Sequence, residues 1–394
     1  MMSDRTLVRL IDKISPTCGQ MLPDCFLNAA IENPDGVIVR NTKIDPRALP
    51  KSVKWIARAG TGVDNIDPMD AATERGIVVF YAPGMNAQSV AEHVFRLLGN
   101  HFRPLSESQR FVSDLSGKTH EEMEDAIKKG KSKYTGHELF GRTIGIVGAA
   151  GNIGQRIARI ALGYGMEVVG CDIKQQEIPG VRWSDMEGVL RSSDIVTIHA
   201  SYLPGINEGL IGRDQLAAMR PGAILVNTAR AELVDSAAIL EAIHDPQAPL
   251  SAYLTDLPTP DIIDVKGITC TPHIGASTPQ SQERCAESIG RDIGNFIRFG
   301  VIRNAKNFPS MEIFPRSAIV TRLSIIHRNI EGMIYFMSGV LARYGVNIAD
   351  HKTTQVNGIA YSVIDLECPL PFGALEKVAV HEKILRVHEI RFDQ

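Results

Sequence analysis

A chain of 394 residues, 44% of them apolar, holds enough hydrophobic material for two or three cores at about 150 residues per domain. Its formal charge of −3, with no Lys/Arg block carrying interleaved aromatics, excludes the electrostatic footprint of a nucleic-acid binder and points to small-molecule partners. The N-terminus is broken by charge, no apolar run approaches the ~18 residues of a membrane span, and six cysteines are scattered without a CxxC pair. No membrane, no metal, reduced thiols and a cytoplasmic setting are therefore expected.

In chain order, GVIVRN, WIARAG and GIVVFY within the first 90 residues read as buried strands of one α/β unit. Residues 105–136 are polar, charged and helix-prone, which suggests a solvated arm, with a subunit contact as the alternative. From about residue 140 to 273, TIGIVG, EVVGCDI, DIVTIHA, AILVNTA and LSAYLTD alternate with amphipathic stretches, the pattern of a doubly wound parallel sheet. KNFPSMEIFPRS, with two prolines and no period, reads as a linker. Beyond it, strand, helix, strand, strand, helix, strand predicts a split βαβ unit.

The stretch Ile144 to Gly154, IGIVGAAGNIG, raises one question of chemistry. In a dinucleotide cradle, a strand ends in glycines that admit a pyrophosphate, and the next helix offers it free N–H groups. The context fits, with TIGIVG as strand, Asn152 to Tyr164 as helix and MEVVGCD as the next strand, ending in Asp172 eighteen residues after Gly154. An acid there accepts from ribose hydroxyls and repels a 2′-phosphate, so NAD is expected over NADP, with Lys174 opposing slightly. Ala149 stands where the first glycine is usual; Gly151 and Gly154 remain, and Gly148 is placed to supply the turn.

Three more stretches fall where such a sheet exposes its strand ends. NTARAELVD delivers Arg230, TDLPTPDI offers Asp256 and Asp261, and TPHIGAST delivers His273. Oxidation of a 2-hydroxy acid needs such groups. A guanidinium grips the substrate carboxylate, an imidazole takes the hydroxyl proton as hydride leaves, and a carboxylate fixes the imidazole's tautomer. Singly, each has a plainer structural reading.

Together with VIVRNT, IARAGTGVDNID and APGMNAQSVAEH in the first unit, these motifs resemble the D-2-hydroxyacid dehydrogenase family over nearly the whole chain, and within it the phosphoglycerate-oxidising branch. The resemblance implies Arg230 as carboxylate anchor and His273 as acid/base. Asp256 would meet the nicotinamide amide, and further dinucleotide contacts would come from Thr61, Gly151, Asn152, Ile153, Gly154, Asp172, Thr228, Ala229 and Gly275. It also implies Arg40 and Arg58 as grips for a distal phosphate, with Gly60 and Asn86 beside the substrate. A glutamate usual after the Asp256 equivalent is here Asp261, so Asp261 is the expected partner of His273, with Asp264 as rival.

The implied fold is two Rossmann-like parallel-sheet domains plus a C-terminal ferredoxin-like ACT module. A discontinuous substrate-binding domain would span 1–92 and 274–305, the NAD-binding domain 93–273, a linker 306–316 and the ACT domain 317–394, with hinge closure over the site. In serine-inhibited relatives the module binds its effector through groups that match His327, Asn329 and Asn347, and such modules pair edge to edge, so an L-serine effector and a homodimer or homotetramer are implied. The expected activity is NAD-dependent oxidation of D-3-phosphoglycerate to 3-phosphohydroxypyruvate, the first step of L-serine biosynthesis. The alternatives are a dehydrogenase of another, unphosphorylated D-2-hydroxy acid and a non-catalytic dinucleotide-sensing protein.

Overall fold

The computed structural model describes residues 5–392. Five strands, β1 (Thr6–Leu10), β2 (Cys25–Asn28), β3 (Gly36–Val39), β4 (Trp55–Arg58) and β5 (Val78–Phe80), form a parallel sheet in the order β2-β1-β3-β4-β5. β3, β4 and β5 are covered on both faces, which is why they read as unbroken apolar runs rather than alternating ones. One face packs on the returning helix Pro279–Phe299, whose Cys285, Ala286, Ile289, Ile293 and Phe296 recur at helical spacing against Ile38, Trp55 and Phe80.

The middle of the chain builds a seven-stranded sheet from β6 (Thr143–Val147), β7 (Glu167–Cys171), β8 (Val181–Trp183), β9 (Ile195–Ile198), β10 (Ala223–Asn227), β11 (Leu250–Thr255) and β12 (Ile268–Cys270). All pairings are parallel, and the order is β12-β11-β10-β9-β6-β7-β8. Helices Leu105–Ser113 and His120–Gly130 bury no residue, as their polar sequence foretells.

The chain divides into two compact units: one runs up to Asn86 and resumes at Pro279, and the other is Ala87–Thr278. Both crossings differ from the expected 92/93 and 273/274. The first falls before helix Ala87–Phe102, since Val94, Leu97 and Leu98 belong to the same core as Ile144, Ile157 and Ile195. The second falls after Thr278, because the 274–275 backbone is bonded to Asp256 of the middle unit.

The C-terminal sheet contains β13 (Thr321–Arg328), β14 (Asp350–Val356), β15 (Ile359–Leu366) and β16 (Ile384–Arg391), antiparallel in the order β14-β15-β13-β16. This is the ferredoxin-like arrangement, with helices Met333–Arg343 and Ala374–Ala379 contributing Met337, Leu341 and Val378 to a core with Leu323, Ile325, Ile364 and Leu366. The sheet does not stand apart as the sequence suggests. Ile326, Tyr361 and Val363 share a core with Phe80 of the first sheet and Phe296 of the returning helix. The segment expected to be a linker is packed too: Phe308 and Met311 are buried in that core, and Asn307 bonds to Val79 N and Ile77 O. Arg322, 0% exposed, fastens the junction with a bidentate pair to Asp365 (2.6 and 2.8 Å) and bonds to the carbonyls of Phe299 (2.8 Å) and Ile313 (2.6 Å).

Candidate active site

In the middle unit the strand order reverses between β6 and β9, so the loops leaving their carboxyl ends part there and leave a crevice, the usual ligand position in such sheets. Because all seven strands are parallel, the segments that follow them gather along one edge. Gly148 to Gly154 leaves β6, Asp172 leaves β7, His199 leaves β9, Thr228 to Arg230 leaves β10, Asp256 leaves β11 and His273 follows β12.

The cradle meets its steric requirements despite Ala149. Gly148 takes the turn at φ +86, where an added Cβ would lie 2.7–2.8 Å from the His199 backbone. A Cβ on Gly154 would strike Gly148 O and the Ala149 backbone, so the third glycine lets the helix close onto the loop. Gly151 caps helix Asn152–Gly163 with no side-chain bond and no acid in its first turn, which leaves its leading N–H groups to an anion. Asp172 is held at the loop by Ala150 N (3.0 Å) and Lys174 N (3.1 Å). Beside this loop, His199 Nδ1 and Thr228 Oγ1 are buried without a protein partner, while His199 Nε2 lies 2.7 Å from Thr197 Oγ1. Burial pushes the His199 pKa down to about 3, so its ring is neutral at working pH. Uncapped N–H groups, a fixed acid and two orphaned polar atoms at a switch point fit a dinucleotide.

The turn carrying Arg230 is set by Asn227, the polar last residue of an otherwise apolar strand. Its Oδ1 accepts from Ala229 N (3.0 Å) and its Nδ2 donates to Arg230 O (2.8 Å). Arg230 is half-buried, with Nη1 donating to Ala229 O.

His273 is exposed and stands at φ +55, an unfavourable conformation for a residue with a Cβ. Asp256 supplies the reason it persists. Its buried carboxylate accepts from Thr271 Oγ1 (2.6 Å), Ile274 N (2.8 Å) and Gly275 N (2.6 Å), gripping the turn on both sides of His273. The Thr271 hydroxyl proton being committed to Asp256, Thr271 accepts from His93 Nε2–H at 3.0 Å; His93 is also 3.5 Å from Asp256. Burial raises the Asp256 pKa, but the bonds from His93, Thr271, Gly275 and Ile274 outweigh it and hold the carboxyl below its ordinary value. Asp256, expected to meet the nicotinamide amide, thus commits both oxygens to this turn. Asp261, the expected partner of His273, is exposed and bonded to the Ser236 hydroxyl, which depresses its pKa, and its rival Asp264 is exposed at φ +63. The shorter side chain of aspartate at 261 is satisfied locally by the helix that Ser236 begins.

The other unit presents its own group at the carboxyl ends of β3 to β5. Arg40 follows β3 and Arg58 closes the adjacent β4, and Arg58 Nε donates to Arg40 O (3.1 Å). A Cβ on Gly60 would collide with the Arg58 guanidinium, so glycine there makes room for the cation. Thr61, expected among the dinucleotide contacts, has its hydroxyl 2.7 Å from Asn86 Oδ1 and 3.0 Å from Ala82 O. Arg284, from the returning helix, donates to Met85 O (3.0 Å) beside Asn86.

In the C-terminal sheet, Asn329 and Asn347 are exposed, whereas His327 is not turned outward with them. It is 1% exposed, with Nδ1 2.8 Å from Arg328 O and Nε2 2.9 Å from Ser362 Oγ, because an inward position on a strand covered on both faces obliges the ring to find internal partners. Asn227, His93 and His199 are not singled out by the sequence; for Asn227 and His199 a polar residue closing or following an apolar strand is the available signal, whereas His93 lies within helix Ala87–Phe102. Among the described residues there is no cluster of potential metal ligands, and no helix is long and apolar enough to cross a membrane.

Comparison with known proteins agrees with this geometry. The family model of the D-isomer specific 2-hydroxyacid dehydrogenase NAD binding domain matches residues 110–275. A D-3-phosphoglycerate dehydrogenase from Archaeoglobus fulgidus is 37% identical over 295 residues, 71% of this chain and 52% of its own length. A hydroxypyruvate reductase from Thermotoga maritima is 34% identical over 276 residues, 66% of this chain and 85% of its own. The crystal structure of the TT0316 protein from Thermus thermophilus superposes with a TM-score of 0.60 at 29% identity, covering 73% of this chain and 95% of that one. The chain spans only about half the length of the first phosphoglycerate dehydrogenase relatives it matches, at 52% for two of them.

Proposed function

The chain belongs to the D-2-hydroxyacid dehydrogenase family, and on that premise we propose that it oxidises D-3-phosphoglycerate to 3-phosphohydroxypyruvate with NAD, opening L-serine biosynthesis. The observation that carries the choice of substrate is the pair of guanidiniums, Arg40 and Arg58, at adjacent strand ends, with Gly60 vacating space for the second. Two cations suit a phosphate dianion and are superfluous for a substrate whose only charge is its carboxylate.

When bound, NAD supplies the hydride acceptor. Its pyrophosphate would rest on the N–H groups of 152–154, and its ribose on Asp172. Arg230 holds the substrate carboxylate and orients C2. His273, kept in its left-handed turn by Asp256, takes the C2 hydroxyl proton as the hydride departs, and returns it in the reverse direction. The ferredoxin-like sheet supports reading the last domain as an ACT module that pairs subunits into a homodimer or homotetramer and senses L-serine at the Asn329 and Asn347 end.

The hydroxypyruvate reductase relative, matched over most of its length, favours a second reading in which the substrate lacks a phosphate. Arg40→Ala separates the two. On the phosphoglycerate reading, KM for D-3-phosphoglycerate rises about 10-fold or more while KM for NAD holds, as loss of a charge-assisted contact dictates. An unchanged KM for D-3-phosphoglycerate removes Arg40 from phosphate binding and leaves the second reading.

A further inference from the structure

We infer that Asp12 is a positioning residue for substrate selection: its carboxylate shapes the loop that presents Arg40, and so sets the preference for a phosphorylated over an unphosphorylated 2-hydroxy acid. The inference rests on the phosphate-gripping reading of Arg40 and adds a cause for it. Asp12 stands two residues beyond β1, and Arg40 is the first residue beyond β3, the neighbouring parallel strand. In the order β2-β1-β3-β4-β5 the sheet reverses between these two strands, so their loops part and leave the crevice in which open α/β sheets hold ligands.

Four donors converge on the Asp12 carboxylate. Oδ2 accepts from the backbone N–H groups of Arg40 (2.6 Å), Asn41 (2.8 Å) and Thr42 (3.1 Å), and Oδ1 accepts from Thr42 Oγ1 (2.6 Å). Three consecutive N–H groups turned to one anion form a backbone nest, a concavity suited to negative charge. Here the anion is internal. It turns the N–H side of the loop inward and leaves the carbonyl side to Arg58 Nε, bonded to Arg40 O, and Asn65 Nδ2, bonded to Thr42 O (2.8 Å). The loop is pinned from both sides, so the direction in which Arg40 leaves the sheet is fixed before substrate arrives, and binding incurs little ordering cost. The bonds also hold the carboxyl at a pKa of about 2, so the anchor is charged wherever the enzyme works.

The test is a mutant cycle on the full-length protein, reading kcat and KM for D-3-phosphoglycerate and for D-glycerate, the same acid without its phosphate. Asp12→Asn keeps the volume but replaces the anion with a neutral amide, which can at best turn its oxygen to the three N–H donors and its N–H₂ to Thr42 Oγ1, so the charge assistance of all four bonds is lost; the selectivity ratio, kcat/KM for D-3-phosphoglycerate over D-glycerate, should fall about 10-fold, mainly through KM for the former. Added to Arg40→Ala, the same change should lower the ratio no further, because a residue acting through Arg40 has nothing left to position. An unchanged ratio in Asp12→Asn, or a loss that adds to that of Arg40→Ala, overturns the inference while leaving the phosphate reading intact. No effect of Arg40→Ala itself overturns both. Should Asp12→Asn fail to fold, Thr42→Val, which removes the hydroxyl bond alone, should lower the ratio about 3-fold, and no change there overturns the inference.

Discussion

On the proposed function, catalysis at the residue scale rests on groups whose work is done through the backbone. Asp256 is the clearest: its bonds to Ile274 N and Gly275 N hold His273 at φ +55. Asp256→Asn replaces an anion that serves those donors with an amide that can serve only part of them. We expect kcat to fall about 10- to 100-fold with little change in KM for NAD, since the loss is of charge-assisted bonds and not of a ligand contact. Steady-state kinetics checks it, and an unaltered kcat would assign the turn's geometry to other contacts. The sign of the pH effect follows from the lowered pKa. A carboxyl depressed in the folded state contributes stability above its ordinary value near 3.8, and that contribution is lost as pH falls through the folded value. Thermal melts between pH 6 and 3 should therefore decline less steeply for Asp256→Asn than for the parent. Arg230 and His273 stand out in the sequence because their chemistry is particular, and their roles are those proposed above. The supporting acid was harder to read: Asp261, expected beside His273 with Asp264 as its rival, is bonded to Ser236, a contact that only the fold brings about.

At the scale of elements, the cradle was legible because strand, glycine turn, helix and terminal acid follow one another without interruption. Ala149 was the one departure, and φ +86 at Gly148 explains it: the left-handed turn sits one residue earlier, leaving position 149 an ordinary backbone conformation. Two substitutions should behave oppositely. Ala149→Gly should leave KM for NAD within about 2-fold, since it frees a turn that is not strained. Gly148→Ala should cost about 1–3 kcal/mol in urea unfolding, by forcing a Cβ into a left-handed residue and against the His199 backbone at 2.7–2.8 Å. Equal effects of the two would place the turn elsewhere. Unit boundaries were less legible than elements. The expected crossing at 92/93 falls inside helix Ala87–Phe102, but a helix that buries Val94 and Leu98 in one core belongs as a whole to that core.

For the whole molecule, the largest difference from expectation is the C-terminal sheet, which the prolines before it suggested was tethered by a free linker. Proline breaks helices and strands but does not forbid packing, and Phe308 and Met311 of that segment complete the core shared by both sheets of the unit. Arg322 is the fastening most open to test. Arg322→Ala leaves Asp365 buried without its partner, and removing one member of a buried pair costs about 3–5 kcal/mol. A single cooperative unfolding transition shifted to lower temperature is the expected melt, whereas a separate early transition of the last eighty or so residues would show a module that folds on its own. The measurement that bears most directly on function is NADH formation from NAD with D-3-phosphoglycerate and, in parallel, D-glycerate, the ketone product being trapped as it forms. Turnover of both acids is expected, with kcat/KM at least about 10-fold higher for the phosphorylated one; equal or better use of D-glycerate, or no NADH from either acid, would contradict the proposed function.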